Sequence, residues 1–207
     1  MAMLAAHIHD ALEQVRKLQT FVLERNQFKG YSGKARVASG LVALLGAAVL
    51  NAPRFPESPR AHLLGWSAIL AAGLMLNYSA LIYWFLFNPG VRRNPAMLKP
   101  ALDALPPLAI GGILAAALAL HGEYDLIFGT CLCLYGLAQV AYRRSLPHAI
   151  YVLGYFYLVC GAAFLLAPGI RFTEPWPMAL AFCTGEFASG LVLIADHHRS
   201  LREEQTP

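Results

Sequence analysis

Charge is what this sequence has least of. Asp, Glu, Lys and Arg make up 14% of its 207 residues, against 57% hydrophobic residues, and the mean hydropathy is +0.50. That balance excludes an ordinary soluble domain and points to a polytopic membrane protein. The four cysteines, Cys131, Cys133, Cys160 and Cys183, all fall inside apolar runs. They form no CxxC, so a thiol redox motif, a cysteine zinc site and a secreted disulfide framework are excluded together. On a helix, Cys131 and Cys133 project about 200 degrees apart and do not converge on one ion.

Other absences narrow the chemistry. No lysine lies within an apolar run, which excludes a Schiff-base chromophore there. KGYSGKAR at 29–36 is glycine-rich but lacks both the GxxxxGK[ST] spacing and a preceding strand, so it is no phosphate loop. HxxxH, stacked pairs of intramembrane histidines, paired intramembrane carboxylates and nucleophile-base pairs are also missing. Net charge is +4, carried at the ends of the apolar runs, and argues for topology rather than nucleic acid. Residues after Met1 are polar by position 7, so the first span is expected to direct insertion itself.

What is present is six long apolar runs, at 37–52, 63–87, 105–120, 126–142, 150–167 and 176–195. Most approach the roughly 20 residues that cross a bilayer. Short connections predict antiparallel neighbours in one bundle. The expected fold is therefore all-α: a six-transmembrane-helix bundle at 37–196, preceded by an amphipathic cytoplasmic helix and linker at 1–36 and followed by a cytoplasmic tail at 197–207. Pro106 and Pro107 sit in the first turn of the third span, where a missing N–H does no harm.

Orientation is set by the basic residues, which are retained on the cytoplasmic side. With the N-terminus inside, thirteen fall in the cytoplasm: Arg16, Lys17, Arg25, Lys29, Lys34, Arg36, Arg92, Arg93, Lys99, Arg143, Arg144, Arg199 and Arg202. Only Arg54, Arg60 and Arg171 fall outside. Both termini are then cytoplasmic.

The first segment, 2–28, carries Leu4, Ile8, Ala11, Val15, Leu18 and Val22 at alternating steps of four and three, a heptad seam. Its polar face is near neutral, which favours a helix partner over anionic lipid. Self-association or docking on a larger membrane complex through 4–22 is one expectation, and packing against the chain's own loops is the other. Small residues recur every fourth position, as in Ser39, Ala43 and Ala47, Ala68 and Ala72, or Gly185 and Ser189, and these stripes read as close helix packing. Two hairpins look alike, GAAVLNAPRFPES from Gly46 and GAAFLLAPGIRFTEP from Gly161, which raises a parallel internal repeat against chance similarity.

One acid breaks the pattern: Glu186, near the middle of the last run. An ionised carboxylate in hydrocarbon costs about 2.5–3.5 kcal/mol on insertion scales, so it must face helices, water or a partner group. By depth, Tyr135, Tyr157 and Asn77 are the expected partners, with Gln139 also in the intramembrane polar set. With the cations assigned to the span ends, the carboxyl group is expected to be neutral. It then either locks the bundle in register or serves a binding or proton-linked role. His148, His197 and His198 cluster at span ends as weak metal candidates, since no spacing fixes a geometry. No cofactor is specified.

LIFGTCLCLYGLAQV at 126–140, LGYFYLVCGAAFLLAP at 153–168 and WPMALAFCTGEFASGLVLI at 176–194, with FKGYSGKAR leading into the first span, resemble segments of a group of small uncharacterised bacterial inner-membrane proteins. The resemblance implies six spans behind a cytoplasmic helix, in the bacterial inner membrane, and no assigned reaction. Three functions stand as expectations. The first is a non-enzymatic accessory, assembly or regulatory protein acting through helix contacts. The second is a small-solute carrier or binding protein using Glu186, and the third a membrane enzyme acting on lipid.

Overall fold

The computed structural model describes residues 14–15, 30–88, 98–103, 105–141 and 147–205. The heptad segment, apart from 14–15, and the linker at 89–97 lie outside them. Among the described residues the regular structure is helical, with no strand: α1 (Gly33–Leu50), α2 (Pro59–Phe87), the short α3 (Lys99–Asp103), α4 (Leu105–Leu120), α5 (Ile127–Ala141) after a 3-10 turn at Tyr124–Leu126, α6 (His148–Leu166) and α7 (Trp176–Gln205). Six helical stretches among the described residues are long and apolar enough to cross a membrane, which makes this a multi-pass membrane protein.

Helix starts are set by caps rather than by the first apolar residue. Ser32 Oγ accepts the Ala35 N–H at 3.3 Å, so α1 begins at Gly33 and not at Val37. Arg36 thereby lies inside the first span instead of in a linker before it. Ser58 caps α2 in the same way, with Pro59 at the first helical position, where a missing donor costs nothing. At the other extreme α7 continues through the polar residues past Ala195 to Gln205.

Helices α1 and α7 pack antiparallel at very short range. Gly33 faces the Gly190 carbonyl, and Gly40 lies against the Glu186 Cβ. Helix α6 runs antiparallel to both α7 and α5, with Gly161 against Gly129 and Gly154 against Gly136 on its α5 face. Consequently α5 and α7 run in the same direction. The α1–α2, α4–α5 and α6–α7 connections share one end of the bundle, here the hairpin end, and the start of α1 and finish of α7 define the opposite, tail end.

Each end has its own core. Near the hairpin end the Phe128 and Phe172 rings meet at a tilt, centroids 4.8 Å apart, beside Ile127 and Trp66, and Asp125 Oδ1 accepts the Phe172 N–H at 2.7 Å, tying two connections together. Towards the tail end Leu81, Ala101, Ala138 and Ile150 join α2, α3, α5 and α6. The stripe Ser39, Ala43, Ala47 is fully buried, as are Gly185 and Ser189. The stripe on α2 differs: Ala68 is exposed, and Ile69 and Gly73 face α1 instead.

Candidate functional site

Glu186 is 1% exposed, and side chains from three other helices reach its carboxylate. From α5, Tyr135 Oη donates to Glu186 Oε1 at 2.6 Å. From α6, Tyr157 Oη donates to the same oxygen at 3.1 Å and approaches the Phe182 carbonyl at 3.4 Å. The two phenol rings meet edge to face with centroids 4.9 Å apart, so each holds the other in place. From α1, Arg36 Nε stands 3.8 Å from Glu186 Oε2.

Glycines make this approach possible. A side chain at Gly40 would press on the Glu186 Cβ at 3.2 Å, and one at Gly185 would run into the Tyr157 ring. Only a bare Cα at 185 lets the phenol lie close against α7 and point its hydroxyl back at the carboxylate.

Arg36 corrects one premise of the sequence reading, that no cation lies at the depth of Glu186. Depth alone makes the carboxyl group neutral for want of a cation, yet a buried guanidinium stands beside it. Arginine stays charged in proteins, so a buried cation faces the carboxyl group, which also accepts from two phenol donors. At 3.8 Å the contact is a charge interaction rather than a hydrogen bond. Arg36 also lies over the Tyr31 ring, 5.8 Å from its centroid.

Of the residues the sequence groups with Glu186, the structure brings in Tyr135 and Tyr157 and leaves Asn77 out. Asn77 Nδ2 donates to Ser39 Oγ at 2.7 Å and to the Gly73 carbonyl at 2.9 Å, stitching α2 to α1. Gln139 is buried on α5, one turn beyond Tyr135, and makes no hydrogen bond to Glu186 through either amide atom. His148 packs on Tyr151 with centroids 5.6 Å apart, and His197 and His198 are neighbours at 6.3 Å. Among the described residues no three His, Cys, Asp or Glu side chains converge as metal ligands.

Sequence reasoning misses Arg36 as a site residue. The signal is local: Ser32 is a helix cap, and a cap there makes Arg36 the fourth helical residue, one turn inside the span. A groove of about 190 Å³ between α2 and α3 is lined by Tyr78, Leu81, Phe85, Leu98, Leu102 and their neighbours, and does not include Glu186. No family model, curated protein or solved structure matches the chain.

Proposed function

We propose that this chain is a non-enzymatic accessory, assembly or regulatory protein of a bacterial inner membrane, with both tails in the cytoplasm, working through helix contacts. The observation that carries this reading is a contrast between interior and surface. The polar interior is closed around Glu186, whereas α2 buries only His62 and Leu81 among its 29 residues and α4 only Gly111 among its 16. A carrier or an enzyme acting on a membrane solute needs a route by which its substrate reaches and leaves the polar groups. A contact protein keeps them for holding its shape and offers apolar faces outward.

On α4 the outward face is of the kind that other helices use. Gly112 has open space above it and Ala116, one turn on, is exposed. Small residues four apart let backbones approach in lipid, where dispersion and not water exclusion drives association. The heptad seam at 4–22 would supply a second contact outside the bilayer. The carrier alternative asks for an aqueous route to Glu186, and the apolar lining of the groove between α2 and α3 weighs against it.

The bacterial location rests on the resemblance of the apolar segments, and the orientation on the distribution of basic residues, twelve to three once the buried Arg36 is left out. The test is gentle extraction into lipid discs followed by native mass spectrometry. A stable homo-oligomer or a retained protein partner is the expected result. A monomer that brings down nothing overturns the reading.

A further inference from the structure

One turn to the tail side of the Glu186 carboxylate, three buried side chains hold polar atoms for which the described residues supply no partner. They are Arg36 Nη1, both amide atoms of Gln139, and Ser189 Oγ. The residues are 7%, 3% and 0% exposed. Buried polar groups in native proteins are nearly always satisfied, and leaving one unpaired costs about 1–3 kcal/mol, so several together call for an explanation.

Helix register places them at one level. Glu186 and Tyr135 touch, and their helices α7 and α5 run the same way. Ser189 lies three residues beyond Glu186 and Gln139 four beyond Tyr135, so each sits one turn further towards the tail end on a similar face. Arg36 enters from α1 at the same end of the carboxylate. What α6 brings to this level is Gly154, which adds no side chain and lies 3.2 Å, at its would-be Cβ, from the Gln139 Cβ. Beside the layer, Ala138 and Ile150 belong to an apolar cluster that Val192 and Leu193 pack against.

We propose that this layer is a binding site for small neutral hydrogen-bonding molecules, held by Arg36, Gln139 and Ser189. Charge decides the class. Arg36 already has Glu186 facing it at 3.8 Å, so an added ion would be buried without a counter-charge of its own. The donors set the polarity: the occupant accepts from Arg36 Nη1, from the Gln139 amide and from the Ser189 hydroxyl, and donates to Gln139 Oε1. Trapped water has this chemistry, and so does a small amide or alcohol. The site stands independently of the contact function proposed above, because it concerns the interior rather than the lipid-facing surface.

The experiment compares wild type, Gln139→Leu and Ser189→Ala in lipid discs. If the layer is occupied, each substitution strips a partner from the occupant and lowers the thermal midpoint, by about 2–4 °C for each 1 kcal/mol lost in a chain of this size. Infrared difference spectra in ¹⁸O-labelled water and native mass spectrometry identify the source. Isotope-sensitive O–H bands, lost in Gln139→Leu, mean water; a small mass released on unfolding means a solute. Should Gln139→Leu not fold, Ser189→Ala carries the comparison. A raised midpoint in the variants that fold overturns the site, and so do bands and masses that do not change between wild type and variant.

Discussion

Arg36 Nε and Glu186 Oε2 stand 3.8 Å apart, joining the first apolar helix of the chain to the last. Their side chains are 9% and 2% exposed, so neither charge has water to fall back on. Such a pair is not a large net source of stability, because desolvation offsets most of the attraction. Its energetic signature emerges when one partner is removed and the other stays buried.

Arg36→Met alone, or Glu186→Gln alone, should destabilise the bundle by about 3–5 kcal/mol, since each leaves a buried charge without its counterpart. The double variant should recover most of that loss. Unfolding of the purified protein by titration with a denaturing detergent gives the cycle directly. If the double variant loses as much as the sum of the two singles, the residues are not coupled and the pair is incidental.

The tyrosines should rank by geometry. Tyr135→Phe removes the 2.6 Å hydrogen bond and Tyr157→Phe the 3.1 Å one to the same oxygen. Hydrogen bonds to charged groups contribute about 1.5–3 kcal/mol, so both losses should be measurable, with Tyr135 the costlier. Because the donors share Oε1, the double variant should deviate from additivity. Equal, negligible effects in the same titration would count against a structural carboxylate.

How much of this is legible in the residues depends on what each question asks. Run length and hydropathy suffice for six spans, because only helices satisfy their own backbone in lipid. Helix starts read from the first apolar residue miss by a few positions, since that residue does not mark a cap and Ser32 and Ser58 do. Depth alone brings Tyr135 and Tyr157 to Glu186, but depth carries no direction around the helix. Asn77 has a suitable depth in the sequence and points instead at Ser39 of α1. Arg36 escapes the same reasoning because the hydropathy pattern places it before the span, whereas its long side chain is buried inside one.

Close packing makes a sharper demand at Gly185, where an added Cβ would meet the Tyr157 phenol. Gly185→Ala should push that ring off Glu186, costing about 1–3 kcal/mol as overpacking. The loss should shrink in a Tyr157→Phe background, which has already given up the hydrogen bond. Gly112→Ala, in open space on α4, is the control and should cost nothing, if anything adding about 0.5–1 kcal/mol of helix propensity. A Gly185→Ala protein as stable as wild type would mean that α6 and α7 can separate freely at this level.

A bulkier residue on α4 tests the surface instead of the interior. Gly112→Leu fills the open side of the Gly112–Ala116 face without touching the bundle core, since no described neighbour lies within 4 Å of a Cβ built there. If that face receives another helix, association in the membrane should fall by about tenfold or more, equivalent to about 1.4 kcal/mol, as close backbone approach is lost. Single-molecule subunit counting in lipid discs, with monomer stability measured alongside, separates the two effects. Unaltered association with Gly112→Leu would move the contact elsewhere, and the heptad seam at 4–22 would be the next face to vary.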